Sequence, residues 1–366
     1  MAVDFSEVIR NIVTSTHPDK HEEILKNSKL LQYITVKTKS ANKNSKARGS
    51  FANLYAIYVL VEDYLRVIES EEYSAYEGAK FMNLFQRQRE LPFGNKLQNH
   101  ALNSRLNEEF KKYFPGSSNV IKRNLETQRY WIDEEYLNVL VDNEKVDISR
   151  IILNIIDAYI DTKVSALESF IDDLQNLKNL EVLEKSDRVT TIVSELLSAE
   201  SDARFFEIIS FCILKFKFEE EFIWIGESKD SVKKVFFSLY KTGRTNANDG
   251  GIDFVLTPIG RYFQVTETLD FDKYFLDLDK VNKFPITFVV KIEESAAQMN
   301  IKIRQDAIVR YPNSETRKLY LEAIEEIITI VDLIGYFNLI KASNKIDDFL
   351  DLLIVTSSIE FHSIRN

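Results

Sequence analysis

Cysteine and histidine are scarce in this chain, and each scarcity argues against a class of protein. One cysteine, Cys212, occurs in 366 residues, so an intramolecular disulfide is impossible and a reducing, cytoplasmic setting is expected. Because Cys212 lies among apolar neighbours, it is predicted to be a core residue and not a nucleophile. Four scattered histidines beside one cysteine argue against a structural zinc site.

Long apolar runs are also missing. The two longest, "FEIISFCILKF" and "IITIVDLIGYFNLI", are too short to span a bilayer, and Asp332 interrupts the second. The first residues, "MAVDFSEVIRNIV", lack the basic and apolar regions of a secretory signal. These features predict a soluble cytoplasmic protein.

Positive charge is in deficit overall, since the formal net charge is −10 at pH 7. It is nevertheless concentrated locally, because the segment "KTKSANKNSKAR" holds bases and no acid, and bases outnumber acids between Arg87 and Arg129. A chain that is acidic overall can still present a basic surface to phosphate, since the local field decides. The candidate DNA contacts in these two regions are Lys37, Lys39, Lys43, Lys46, Arg48, Arg87 and Arg89.

The spacing of apolar residues changes near residue 196. Up to about residue 195, apolar residues recur every three or four positions, which predicts a mainly helical region. Beyond it, we predict a helix in "SDARFFEIISFCILKF", a strand in "KFEEEFIWIG", a helix in "SVKKVFFSLYK", a hairpin, a helix in "FDKYFLDLDKVNKF", a strand in "ITFVVK" and helices from about residue 314. The predicted fold class is α+β, with regions 1–195 and 196–366.

Glycine is rare, with ten in the chain, yet Gly250 and Gly251 are adjacent and lie between two aspartates, Asp249 and Asp253. Glycines allow positive φ and leave open space beside a side chain. The runs "IDFVL" and "RYFQVTE" follow, and the "TPIG" between them is typical of a hairpin turn. We therefore expect Asp253 at the start of one strand, opposite the second strand.

The second strand of this hairpin predicts a site for a hard cation. Strand alternation places Gln264 and Thr266 on one face and apolar residues on the other, so Gln264 is expected to share a face with Asp253. A carboxylate and an amide oxygen suit Mg²⁺, which usually keeps waters and substrate phosphate as further ligands. Glu207, on a narrow polar stripe of the preceding apolar helix, is a candidate third ligand. Because Asp253 should support little packing, its removal is expected to leave the fold intact.

The pattern "DGGID", a short hairpin and "YFQVT", preceded by the helix "RFFEIISF", resembles the PD-(D/E)XK nuclease superfamily. It is most similar to restriction endonucleases and Mrr-like enzymes that read D-G-G-I-D and then Q-x-K, and it covers roughly residues 200–292. The resemblance implies a catalytic domain with a central mixed sheet and a Mg²⁺ cofactor, which Mn²⁺ can replace. It makes Asp253 the metal-binding aspartate, Gln264 the residue in the (D/E) place and Glu207 the helix glutamate.

The sequence departs from this family at the lysine, because Thr266 stands in the K position. Three interpretations stay open. A bulge swings Glu267 into the site, since some restriction enzymes have a glutamate there; or a lysine arrives from elsewhere, Lys291 or Lys241; or the site is inactive.

The resemblance implies a type II restriction endonuclease that cuts double-stranded DNA by metal-assisted hydrolysis. Region 1–195 is then interpreted as a DNA-recognition and dimerisation region, the chain as a homodimer, and a cognate methyltransferase as the protector of host DNA. The loop "KTGRTNAND" offers further candidate DNA contacts, namely Lys241, Arg244, Asn246 and Asn248.

Two alternatives remain. One is a modification-dependent, Mrr-like nuclease with a flipped-base pocket, for which Tyr130 and Trp131 are candidates. The other is a non-catalytic DNA-binding protein on a degenerate nuclease fold, which the missing lysine favours.

Overall fold

The computed structural model describes residues 5–39, 47–69, 76–94, 97–242, 252–267 and 271–365; the side chains of residues 47–50, 229 and 361–365 are outside this description. Two compact units divide the chain, Met1–Phe170 with Glu360–Asn366, and Ile171–Ile359. The boundary falls inside one continuous helix, earlier than the change of apolar spacing near residue 196. Across the described residues, no helix combines the length and the apolar character needed to cross a membrane.

The first unit is mainly helical with short strands. Its helices are α1 Phe5–Thr16, α2 His21–Asn27, α3 Lys29–Thr38, α4 Ala47–Glu69, α5 Phe81–Glu90, α6 Leu106–Tyr113 and the first part of α7 Ser149–Leu177. Its strands are β1 Ala79–Lys80, β2 Ile121–Asn124, β3 Arg129–Ile132, β4 Asn138–Val141 and β5 Glu144–Asp147, arranged as a β1-β3-β2 sheet and a β4–β5 hairpin. A π-helical turn, Ala101–Arg105, precedes α6. The core is built on α4, which is buried along most of Phe51 to Val61.

The second unit contains a larger sheet covered by helices. Its helices after the end of α7 are α8 Val182–Leu197, α9 Ala203–Phe218, α10 Phe271–Lys280, α11 Ala296–Arg310, α12 Ser314–Glu322, α13 Ile330–Ala342 and α14 Ile346–Arg365, which continues past Ile359. Its strands are β6 Phe222–Ile225, β7 Lys233–Phe236, β8 Ser238–Lys241, β9 Phe254–Thr257, β10 Arg261–Thr266, β11 Ile286–Val290 and β12 Ile324–Thr329. Asp202 caps α9, since its side chain accepts a hydrogen bond from the Arg204 amide.

Five of these strands form one mixed sheet in the order β12-β11-β10-β9-β8. The three strands β8, β9 and β10 pair antiparallel, whereas β10, β11 and β12 pair parallel. All five residues of β11 are buried, which fits an interior strand covered on both faces. The α+β class with a central mixed sheet is confirmed.

Helices lie on both faces of this sheet. On one face α9 packs through ring contacts, with centroids 5.4 Å apart for Phe211–Phe254 and 5.8 Å apart for Phe218–Phe263. On the other face Phe288 contacts Tyr274 of α10, with ring centroids 4.7 Å apart, inside an apolar cluster that includes residues of α11. We call these the α9 face and the α10 face.

Two predicted elements were wrong. The segment "SVKKVFFSLYK" is not a helix but the strands β7 and β8, which hydrogen-bond to β6 and β9. Strand β12 lies within the C-terminal stretch that was expected to be helical throughout. In both places pairing with a distant strand overrides the local pattern, which a short apolar run leaves ambiguous.

Candidate functional site

The register of the mixed sheet brings the candidate residues of four chain segments to one end of it. The Thr242 amide, after β8, donates to the Asp253 carbonyl at 3.0 Å. The Asp253 amide donates to the Phe263 carbonyl at 2.8 Å, and the Lys291 amide, after β11, donates to the Thr266 carbonyl at 2.9 Å. The expected juxtaposition at the hairpin therefore exists, although it is built from strand ends and not from β9 and β10 alone.

Asp253 is fixed by its side chain as well as its backbone. One carboxylate oxygen, Oδ2, accepts a hydrogen bond from the Val265 amide at 2.7 Å. Since the backbone of Asp253 bonds to Phe263, the residue contacts both chain neighbours of Gln264. The carboxylate takes the place that a carbonyl of the opposite strand would otherwise hold, which corrects the expectation that Asp253 supports little structure.

Gln264 has a side-chain amide oxygen that receives no hydrogen bond from any described residue. Its Nε2 donates to the Val265 carbonyl at 3.2 Å, but its Oε1 is buried and receives no hydrogen bond from the part of the chain that is described. Gln264 is in register with Phe288, so it belongs to the α10 face, opposite Phe263. A buried carbonyl oxygen without a donor costs roughly 1–3 kcal/mol unless a ligand satisfies it.

Glu207 lies apart from Gln264 and pairs with a lysine. It belongs to α9, on the opposite face of the sheet, and its Oε1 is 3.1 Å from Lys241 Nζ. Both side chains are mostly buried, with 19% of Glu207 and 23% of Lys241 exposed. Glu207 is therefore the partner of Lys241, and its role as a third metal ligand stays a prediction.

Glu267 and Lys291 form a second pair of carboxylate and lysine. Lys291 Nζ is 2.8 Å from Glu267 Oε1 and also donates to the Ser201 carbonyl just before α9. Its side chain is 2% exposed, so this buried lysine connects Glu267 to the backbone before α9. The register of β10 with β11 runs without a shift to Thr266, and the bulge that would swing Glu267 towards the site is absent from these described strands.

Asp253, Gln264 and Glu207 remain the predicted ligands of a divalent cation. Within the described ranges, no group of three or more His, Cys, Asp or Glu side chains is placed to hold a metal. A carboxylate and an unsatisfied amide oxygen on facing residues nevertheless suit Mg²⁺, which relies on waters and phosphate for its other ligands.

Two of the predicted DNA contacts are engaged inside the first unit. Lys37 pairs with Glu109, and both side chains are largely buried. Arg87 makes a forked pair with Glu62, with Nε–Oε2 and Nη2–Oε1 distances of 2.8 Å each. Both cations are thus ion-paired in the structure, and their role as DNA contacts stays a prediction.

The remaining predicted contacts divide into exposed and undescribed residues. Lys39 is exposed at the end of α3, and Arg89 lies over the Phe85 ring at 5.6 Å. The other positions lie outside the described residues or, for Arg48, have a side chain outside them: Lys43, Lys46, Arg48, Arg244, Asn246 and Asn248, together with Gly250 and Gly251.

Tyr130 and Cys212 are core residues, whereas Trp131 is half-buried. Tyr130 packs on Phe81 with ring centroids 5.0 Å apart. Cys212 is fully buried, and burial raises the pKa of its thiol to about 12. The core assignment of Cys212 is confirmed.

The sequence pattern missed two features of this sheet end. The Val265 amide is the partner of Asp253, and the Ser201 carbonyl is the partner of Lys291. Backbone groups carry no residue-type signal, so only the register could have revealed them. The Glu207–Lys241 pair had a signal, since both residues had been singled out separately.

Comparison with known proteins adds no family to this geometry. No family model matches the chain, and neither the curated proteins nor the solved structures include a significantly similar one.

Proposed function

We propose that this chain is a Mg²⁺-dependent nuclease that hydrolyses phosphodiester bonds in double-stranded DNA. The observation that carries the proposal is the Asp253 carboxylate, hydrogen-bonded across the ladder beside Gln264, whose buried Oε1 has no donor among the described residues. An acceptor in that state is available to a ligand. The proposal also rests on the resemblance of "DGGID" and "YFQVT" to the PD-(D/E)XK pattern.

Each residue has a distinct part in this proposal. Asp253 and Gln264 hold the cation, and their fixed hydrogen bonds keep both side chains oriented before substrate binds. When bound, Mg²⁺ lowers the pKa of a water and offsets charge on the phosphate. Lys241 is the lysine that can approach a phosphate, because it is partly exposed whereas Lys291 is enclosed and holds Ser201. Glu207 orients Lys241.

The finer assignment is also proposed. We infer a sequence-specific type II restriction endonuclease that acts as a homodimer in the cytoplasm, alongside a methyltransferase that protects the host DNA. A two-fold dimer would place two sites across a palindromic duplex.

The deciding experiment is digestion of unmethylated and methylated phage DNA with and without Mg²⁺. Wild-type protein is compared with Asp253→Asn, which keeps an acceptor for the Val265 amide but removes the charge. Asp277→Asn is the matched control, because Asp277 is a carboxylate of α10 paired with Lys280 at 2.7 Å. We expect discrete Mg²⁺-dependent fragments from wild type and from the control. We expect a loss of about 100-fold or more in Asp253→Asn, because losing even a group that hydrogen-bonds a metal ligand typically costs about 10- to 100-fold.

Other outcomes distinguish the alternatives. Cutting of methylated DNA alone would favour the modification-dependent enzyme. Full cutting by Asp253→Asn would contradict the site. Binding of DNA by wild type without cutting would favour a non-catalytic protein on a degenerate nuclease fold.

The same assay separates the two lysines. Lys241→Ala is expected to lower the cleavage rate by about 100-fold or more with little change in unfolding, as for a group that assists proton transfer or holds charge near the phosphate. Lys291→Met is expected to act mainly on stability. The reverse result would make Lys291 the functional lysine.

A further inference from the structure

The hairpin of β6 and β7, which we call the aromatic ribbon, stands outside the five-stranded sheet. Its two strands pair only with each other within the described sheets. The register places Phe222 opposite Phe236 and Trp224 opposite Lys234, so these four side chains share one face. Two-stranded ribbons are marginally stable in isolation, and they usually bury their apolar side chains against another element.

The shared face of the ribbon is aromatic and open to solvent. The exposed fractions are 42% for Phe222, 64% for Trp224 and 52% for Phe236. The rings are edge-on to one another, with centroids 6.2 Å apart for Phe222–Trp224 and 5.8 Å apart for Phe222–Phe236. Large exposed apolar patches of this kind mark interaction sites.

A lysine occupies the centre of this face. Lys234 Nζ lies 3.7 Å from the centroid of the Phe222 ring and 4.5 Å from that of the Phe236 ring. These contacts hold the ammonium among the rings, where it keeps hydrogens free to donate. An apolar protein partner would have to bury this charge without a counter-charge, which is costly.

The charge around the face favours an anionic partner. Neither Lys233 nor Lys234 forms an ion pair with a described residue, whereas the acids at the base of the ribbon are ion-paired: Glu219 and Glu220 share Lys345, and Glu221 pairs with Lys217, which leaves one net negative charge there. Glu227 and Asp230 give the connecting turn negative charge. A ligand that carries phosphate groups is therefore expected to cross the strands near Lys234 and to avoid the turn.

We propose that the aromatic ribbon binds single-stranded nucleic acid, with unpaired bases stacked on Trp224 and Phe236 and a phosphate held by Lys234. Exposed aromatic rings interleaved with cations are the combination that recognises unpaired bases, because every base offers a stacking face and every link a negative charge. The proposal uses neither Asp253 nor a metal, and so it does not depend on the proposed nuclease activity.

The test measures binding of a fluorescently labelled deoxythymidine oligomer of about 12 nucleotides, a length within the range of single-strand sites. EDTA is present so that cleavage cannot contribute. The variants are Trp224→Ala and Lys234→Gln, and the control is Leu140→Ala, an exposed apolar residue on the β4–β5 hairpin. Anisotropy gives the Kd at several salt concentrations, and sedimentation gives the oligomeric state.

We expect Trp224→Ala to weaken binding roughly 5- to 150-fold, as for the loss of one stacked base. Lys234→Gln should reduce the slope of log K against log salt by about 0.7, the value for one phosphate contact on a single strand. Leu140→Ala should bind as wild type does.

A direct optical signal is also expected, because the chain has two tryptophans, Trp131 and Trp224. In a Trp131→Phe protein the oligomer should quench the remaining fluorescence. Unchanged affinity of Trp224→Ala for the oligomer would overturn the proposal. It would also be overturned if a DNA duplex bound as tightly as the oligomer and Trp224→Ala weakened both equally. A change from dimer to monomer in Trp224→Ala with unchanged affinity for the oligomer would overturn it in favour of a second copy of the chain as the occupant.

Discussion

Removing the Asp253 side chain is expected to open the strand pairing beside it. In Asp253→Ala the Val265 amide loses the acceptor that lies 2.7 Å away, and this amide is partly buried. A donor left in that state costs about 1–3 kcal/mol. Asp253→Asn retains an oxygen at the same position and loses only the charged component, so its cost is expected to be about 1 kcal/mol or less.

The assay is amide hydrogen exchange at Val265, which reports the local opening directly. A cost of about 1–3 kcal/mol corresponds to exchange roughly 5- to 150-fold faster in Asp253→Ala, and Asp253→Asn should stay within about 5-fold of wild type. The amide of Val289 on the neighbouring strand is the internal control, since β11 is buried along its whole length.

Two results would refute this reasoning. If Val265 exchanges equally fast in wild type and Asp253→Ala, the carboxylate does not hold the ladder. If the Val265 amide exchanges equally fast in Asp253→Ala and Asp253→Asn, the charge of the carboxylate, and not its hydrogen bond, holds the strand. Asp253→Asn would then change the structure as well as the site, and its loss of cleavage could not be assigned to catalysis alone.

Three further predictions concern stability and reactivity. Lys291→Met should lower the free energy of unfolding of the second unit by about 1–3 kcal/mol in urea titration, because the Ser201 carbonyl loses its donor. Glu267 is exposed enough to be hydrated, so it adds little to this cost. An unchanged urea midpoint would contradict this structural role of Lys291. Cys212 should resist a thiol reagent at pH 8 until the protein unfolds, since burial raises its pKa to about 12, and rapid labelling of the native protein would contradict its burial. Burial also raises the pKa of Asp157, so the ionised carboxylate destabilises the first unit above that raised pKa and protonation removes the cost. Asp157→Asn should therefore be more stable than wild type at pH 7, and the difference should vanish as the pH falls towards about 4. A stability difference that does not depend on pH would contradict this.

The elements around the site were predictable where the local pattern is unambiguous. Asp202 before an apolar helix, strand alternation on either side of "TPIG", and the β-branched run of β11 each match a single type of structure. Strands β7 and β8 were not predictable, because "SVKKVFFSLYK" suits a helix or two short strands equally well until its partners are known. The same holds for the short strands of the first unit.

The candidate site was predictable in its residue types but not in its pairing. Asp253 and Gln264 follow from alternation on one hairpin, a local relation. The partner of Glu267 lies 24 residues away, just after β11, and that of Glu207 lies on β8, which was expected to be helical. Such contacts are set by the register of the sheet, which a single sequence does not reveal.

The two pairs explain how this sheet end can lack a lysine at position 266. Thr266 is in register with Val290, and the next step along the parallel ladder sets Glu267 beside Lys291. Lys291 therefore lies beside the end of β10, but its ammonium group is already paired with Glu267 and hydrogen-bonded to the Ser201 carbonyl. Lys241 reaches the same end from β8 with part of its side chain open to solvent. If the site cleaves DNA, the cation at the phosphate is therefore expected to come from β8, on the far side of β9 from the strand that carries Gln264.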